Sequence, residues 1–356
     1  MVKNKLISLV HQKMMSTTLM GVQRNYSRIK NDIKHEAHRS NDFVEIHLSL
    51  LFQQVFHRHS RDEADRIMIA GTKLTTPSLA KVSSAPVKPW LFSRFFSILT
   101  VSFALLTMLY LVFGSDKAIP GMMVVGSLVV PFSILIMFYE MNVYRNISLM
   151  QVNTTFLVGG VASLIVTMML YDVIPSGNGI SLGSALLVGI IEETAKTIII
   201  VVFINRFKLN YILNGILIGA AIGAGFAVFE TSGYTNEFGL STIFVRSWQA
   251  IGTHTIWSAI VGAAVILGKR RYHQFTLQDA ITNFHFIGFY LIAVLLHAFW
   301  DWQLPISWFS DFYIQKFILI AVSWIVIFIL IDSGLREVRT LQGQIIRRHQ
   351  PRHRKK

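Results

Sequence analysis

Leu186-Leu187-Val188-Gly189-Ile190-Ile191-Glu192-Glu193-Thr194-Ala195-Lys196-Thr197-Ile198-Ile199-Ile200-Val201-Val202-Phe203 is an apolar run broken by three charged residues. It approaches the ~20 residues a helix needs to cross a bilayer. Strands of a membrane barrel read instead as short segments of alternating polarity. The stretch therefore predicts a transmembrane helix with two adjacent carboxylates near its middle. Ionisable groups inside a bilayer cost several kcal/mol unless paired, so each one marks a functional hypothesis. On a helix Lys196 lies one turn from Glu192 and shares its face. Glu193 points about 100° away, toward a second partner. A buried ion pair that only fixes packing would need one glutamate, not two.

The same oiliness extends outward. Eight apolar stretches follow one another, at about 93–114, 121–143, 154–174, 181–205, 211–234, 242–268, 284–304 and 312–335. Of 356 residues, 53% are apolar and only 15% charged, whereas about a quarter of a soluble protein is charged. Mean hydropathy is +0.50. The fold class is an all-α polytopic membrane protein of about eight transmembrane helices with its site inside the bundle. Collagen, coiled coil, disordered polymer and β-barrel are excluded. The absence of cysteine excludes disulfides, thiolate-bound zinc and thiol catalysis.

A net charge of +14 would suit nucleic acid, but its distribution follows the membrane instead. With the N-terminus inside, the inside segments hold Arg145, Arg206, Lys208, Lys269-Arg270-Arg271 and the tail from Arg347-Arg348 to Lys356. The outside loops hold Lys117 and almost nothing else. That asymmetry places both termini in the cytoplasm. Residues 1–90 form a cytoplasmic extension without a signal-peptide core near Met1. Within it lie an amphipathic run around Ile46–Phe56 and scattered histidines (His35, His38, His47, His57, His59), read as a solvated helical extension rather than a metal tract. Thr72 to Pro89 reads as a linker. Residues 91–335 form the membrane domain, and 336–356 a basic cytoplasmic tail that meets anionic lipid headgroups rather than RNA. Nothing in the sequence points to an oligomeric state.

The other intramembrane polar groups cluster in the next three stretches. Gly215, Gly219 and Gly223 recur every fourth residue, a smooth ridge on which a second helix can pack closely; Glu230, two turns on, shares that face. His254 is followed at one and two turns by Ser258 and Gly262. Arg246, nearer the outer surface, reads as an interface anchor. His297 and Asp301 stand at i and i+4, so their side chains can share one metal ion or one water. No serine lies in a GxSxG context or beside an intramembrane lysine as a Ser–Lys dyad needs, so the nucleophile is water. Carboxylates and imidazoles without sulfur suit a zinc-type site, and equally a metal-free general base.

In this order, EExxK at Glu192–Lys196, FxxxE at Phe226–Glu230, His254 and HxxxD at His297–Asp301 resemble the PrsW family of intramembrane proteases, related to the type II CAAX prenyl endopeptidases. The resemblance covers roughly residues 95 to 335. The CAAX branch has Arg after its Glu pair and FxxxH where Phe226–Glu230 stands, which favours the PrsW side. The resemblance implies a metal-dependent protease, with Zn2+ as the expected ion, in a bacterial-type plasma membrane. It implies membrane-anchored substrates of the anti-sigma-factor kind. It makes Glu192 the general base, Glu193 a second carboxylate or ligand and Lys196 a charge balance. Glu230, His254, His297 and Asp301 become ligands or transition-state stabilisers. Because Glu230, His297 and Asp301 fall in the outer half of the membrane, the scissile bond is expected there. Two other readings compete. One is a non-catalytic scaffold or sensor on the same fold, as the wider superfamily includes a gamma-secretase subunit that is not the protease. The other is a proton-coupled transporter, which would normally carry an internal repeat of interrupted helices; none is evident.

Overall fold

The computed structural model describes residues 47–174, 181–302, 304 and 313–349. The first 46 residues, with His35 and His38, the Pro175–Gly179 turn and the end of the basic tail lie outside the described residues.

Helix α1 (Arg61–Met68) is short and polar, started by Ser60, whose side chain accepts from the Glu63 N–H. Helix α2 (Leu91–Phe113) is apolar apart from Arg94 and scattered Ser and Thr, and buries little beyond Leu91 and Ser93; its other faces suit lipid. Gly114, at φ 61, ends it. Helix α3 (Ile119–Met141) follows. Helix α4 (Leu149–Thr154) runs through a π-turn at Thr155–Gly159 into α5 (Gly160–Val173). Helix α6 (Leu182–Phe207) starts on Ser181, which accepts from the Ser184 N–H. Helix α7 (Ile212–Phe238) is central and buried over most of its length. Helix α8 (Ser241–Gln249), a 3-10 turn at Ala250–Gly252 and α9 (His254–Gly268) come next. The short α10 (Leu277–Thr282), α11 (Phe284–Asp301) and the long α12 (Ile314–His349) complete the chain.

Among the described residues, seven spans are long and apolar enough to cross a membrane: Leu91–Phe113, Asp116–Met141, Leu149–Val173, Ile212–Phe238, Ser241–Gly268, Phe284–Asp301 and Ile314–Ile346. Helix α6, at 26 residues, is as long as these, but Glu192, Glu193 and Lys196 sit in its middle. Counting it gives the eight expected from the apolar runs. The sixth run, expected as one helix over 242–268, is in fact broken at residues 250–253. The break follows from packing. A Cβ on Gly252 would lie 2.9 Å from Ile320 Cα on α12, and Trp324 Nε1 donates to the freed Ile251 carbonyl at 2.9 Å.

The glycine ridge of α7 meets α9. A Cβ on Gly215, Gly219 or Gly223 would overlap the carbonyl oxygens of Gly262, Ser258 or His254 respectively. Only glycine lets the two backbones come this close, and the contact presses the His254 turn against α7. On its other side α7 approaches α5 at Gly160 and Gly225, each of which leaves no room for a Cβ. Likewise a Cβ on Gly189 of α6 would lie 2.9 Å from the Val294 carbonyl and 3.5 Å from His297 Cβ of α11. Glycines thus set the spacing of the helices that carry the polar groups.

Residues 47–90 pack on this bundle. Glu140 accepts from the backbone N–H groups of Trp90, Leu91 and Phe92, all at 2.9 Å, which caps the uncapped start of α2. His59 stacks on Trp90 with ring centroids 3.9 Å apart. The 72–89 segment reaches α12, where Gln342 donates to the Leu79 and Val82 carbonyls. Helix α12 runs past residue 335 to do so: 36 residues at about 1.5 Å each exceed a ~30 Å hydrocarbon core.

Candidate active site

Five helices deliver the polar side chains: α6 carries Glu192, Glu193 and Lys196, α7 Glu230, α8 Arg246, α9 His254, and α11 His297 and Asp301. Lys196, wholly buried in α6, donates from Nζ to Glu193 Oε1 at 2.7 Å and lies 3.4 Å from Glu192 Oε2. Its third hydrogen bond goes to His254 Nδ1 of α9 at 2.9 Å, and the ammonium lies over the Phe226 ring, 4.3 Å from its centroid. An ammonium only donates. His254 Nδ1 is therefore the acceptor, and its Nε2–H points to Glu230 Oε2 of α7, 3.0 Å away. Arg246 of α8 closes that end, 2.5 Å from Glu230 Oε2.

The other arm runs to α11. His297 Nδ1 lies 2.8 Å from Glu193 Oε1, and a carboxylate only accepts, so Nδ1 carries the proton. Its Nε2 then turns away from Glu193, toward Glu192 Oε2 at 3.6 Å and Asp301 Oδ2 at 3.4 Å. A contact path thus runs Arg246–Glu230–His254–Lys196–Glu193–His297–Asp301, with Glu192 beside Lys196 and His297. All seven residues singled out from the sequence belong to it.

They differ in access. A cavity of about 610 Å³ is lined by Glu192, Glu230, His254, His297 and Asp301. Glu193 and Lys196 stand behind that wall, each 0% exposed. Among the described residues, Glu193 Oε2 has no hydrogen-bond partner.

Two residues with other or no expected roles join the site. Arg246, read from the sequence as an interface anchor, is instead the ion-pair partner of Glu230, donates to Thr231 Oγ1 at 3.2 Å and lies over Tyr234. The signal was available: an arginine about four turns from Glu230 along the chain, on the next helix. Tyr171, near the end of α5, donates to Glu192 Oε1 at 3.1 Å. From sequence it reads as one more interfacial aromatic, and nothing marks it out.

The donor chemistry fits a divalent cation. Glu192, His254 and His297 each offer one ligand atom, and the three atoms lie within 4.8 Å of one another. Two imidazoles and a carboxylate make a known catalytic zinc set. In the neutral ring with its proton on Nδ1, His297 Nε2 joins Glu192 and Asp301 as a third electron-pair acceptor. With the network's four carboxylates ionised and both imidazoles neutral, Lys196 and Arg246 leave two negative charges uncompensated, the charge of one divalent ion. His254 can join only by giving up Lys196 or Glu230, since both its nitrogens are engaged. Among the described residues no other group of this kind occurs, and His47, His57 and His59 form none.

A profile described as PrsW family intramembrane metalloprotease matches residues 148–331. That range includes every residue of the network. Among curated proteins, the chain is similar to Protease PrsW of Geobacillus kaustophilus, 25% identical over 162 residues, covering 43% of this chain and 62% of the relative. It is also similar to Protease PrsW of Halalkalibacterium halodurans, 24% identical over 195 residues, covering 54% of this chain and 87% of the relative. No solved structure gives a significant match.

Proposed function

This chain belongs to the PrsW family of intramembrane metalloproteases, and on that premise we propose that it hydrolyses a peptide bond of a membrane-anchored protein inside its own helix bundle. The observation that carries this reading is the pairing of a buried carboxylate–imidazole network with a cavity of peptide-sized volume. A packing device would bury such groups without leaving them a cavity. A proton path would string them along the membrane rather than gather them on one wall.

Glu192 Oε2 takes a proton from water held between Glu192 and His297. The resulting hydroxide adds to the substrate carbonyl carbon. The C–N bond then breaks, and the proton passes from Glu192 to the departing amine, giving a new carboxyl and a new amino terminus. Tyr171 holds the far oxygen, Oε1, so that Oε2 faces His297. Glu193 fixes the His297 tautomer, and Lys196 keeps the adjacent carboxylates from repelling one another. Glu192, His254 and His297 are the residues that would hold a divalent ion, zinc being the expected one. When bound, it supplies a polarised water and a Lewis acid for the peptide carbonyl. Asp301, at the cavity wall, is then the carboxylate free to take the proton. Its position beside His297 Nε2 supports that role.

The resemblance extends the proposal to anti-sigma-factor-like substrates with one membrane span, and the Lys/Arg distribution extends it to both termini being cytoplasmic. The reading is tested with purified chain in liposomes and a single-span reporter. Wild type should release two fragments, and Glu192→Gln none.

A further inference from the structure

We propose that the break between α8 and α9 is the seat of the unwound substrate backbone, its amide groups and the Thr253 hydroxyl bonding to substrate carbonyl oxygens. The inference rests on the proteolytic reading above and names the surface that reading requires.

A peptide bond in a helix has its carbonyl engaged four residues on. Before water can attack, that segment must unwind, and in a bilayer its freed polar groups need partners from the protein. The break offers some of them. Its Ile251 carbonyl is already taken by Trp324 Nε1, and the amide groups that open α9 have no side-chain cap. The first backbone bonds of α9 run from Ile256 and Trp257 back to the Thr253 carbonyl, at 2.8 and 3.0 Å. The N–H groups of His254 and Thr255 stand ahead of that ladder, and no side chain caps them.

Two threonine hydroxyls add an independent observation. Thr253 lines the cavity and is 6% exposed, yet its hydroxyl does not cap α9. Across the cavity, Thr167 of α5 is 2% exposed and its Oγ1 has no hydrogen-bond partner. Buried hydroxyls are normally partnered, so two that line one cavity call for a ligand with backbone-like polarity. The positive end of α9 favours carbonyl oxygens there. Nonhelical backbone at membrane depth is tolerated where it lines such a cavity.

The test uses full-length protein in liposomes with a single-span reporter peptide. Thr253→Val keeps the side-chain volume and removes the hydroxyl; Thr253→Ser keeps the hydroxyl. Cleavage should show KM raised about tenfold by Thr253→Val with kcat within about twofold, and Thr253→Ser near wild type. That is the pattern of lost uniform binding. In a Glu192→Gln background, a photo-cross-linker at Glu237, exposed at the cavity wall, should capture the reporter with Thr253→Ser but at least fivefold less with Thr253→Val. Equal capture by both variants would overturn the proposal whether or not the chain cleaves anything. Equal damage by Ser and Val would overturn it too, by showing a packing role. Undiminished cleavage by Glu192→Gln would instead sink the proteolytic reading while leaving the capture result standing.

Discussion

His297 donates through Nδ1 to Glu193 Oε1 across 2.8 Å, and that one bond decides which nitrogen the cavity sees. In the neutral ring Nε2 is then the bare nitrogen facing Glu192 and Asp301. Glu193 thus acts at one remove, on the ring that meets the water.

Removing its charge should therefore cost more than its distance from the cavity suggests. Glu193→Gln can offer His297 an amide oxygen, but it leaves Lys196 with a single, longer-range carboxylate, Glu192 at 3.4 Å. We expect cleavage to fall by about 100-fold, the upper range for groups that orient a catalytic ligand. Kinetics in liposomes, with helicity as a control for folding, check this; near-normal cleavage would contradict the orienting role.

The glycine ridge makes a prediction about stability. Gly219→Ala puts a Cβ where the Ser258 carbonyl stands, so α7 and α9 must separate. Overpacking of this kind costs about 1–3 kcal/mol. Because α9 carries His254, cleavage should fall as well. Gly233→Ala on the same helix has open space around it and should leave the unfolding midpoint near wild type. A thermal-unfolding comparison in detergent distinguishes the two; equal midpoints would mean that close contact at Gly219 is not needed.

The helices themselves were plain in the sequence, because runs of Leu, Ile, Val and Phe some 20 residues long have no other home. So were Glu192, Glu193, Lys196, Glu230, His254, His297 and Asp301, since an ionisable residue in such a run stands out against its neighbours. The four-residue spacing of Gly215, Gly219 and Gly223 announced a close helix contact, though not its partner, α9. Other features left no trace. The break at 250–253 falls in Ala250-Ile251-Gly252-Thr253, a stretch whose composition still allows a continuous helix, and Ile320 and Trp324 of α12 hold it. Tyr171 and Arg246 carry the residue types that also anchor helices at the interface. Only the third dimension shows one bonded to Glu192 and the other to Glu230. The packing of residues 72–89 on α12 was equally hidden, because Ser, Thr and Pro read as linker wherever they go.

Metal content is open to direct measurement. Two uncompensated negative charges and the Glu192, His254, His297 set predict about one equivalent of a divalent ion per chain, with zinc expected. His297→Ala should lose it, and a chelator such as phenanthroline should inhibit wild type. Full activity in metal-free protein would assign the proton transfer to Glu192 alone.

The position of the cut follows from topology. If both termini are inside, as proposed from the Lys/Arg distribution, Glu230, His297 and Asp301 fall toward the outer ends of α7 and α11, and α11 ends at Asp301. A single-span substrate should be cut near its outer end, where fewer buried backbone bonds must be opened. Helix-breaking residues there should speed cleavage. Mass spectrometry of product termini gives the answer, and a cut in the cytoplasmic third of the substrate helix would contradict either the orientation or the site.

The most direct test is the cleavage rate of Glu192→Gln beside wild type, in liposomes, with a single-span reporter. The substitution keeps size and the hydrogen bond from Tyr171 but removes the proton acceptor at the cavity wall. Expression and helicity should stay near normal while cleavage disappears, a loss of at least 1,000-fold by the scale of general-base catalysis. Proteolysis at the wild-type rate by this variant would show that the buried carboxylate network serves packing alone.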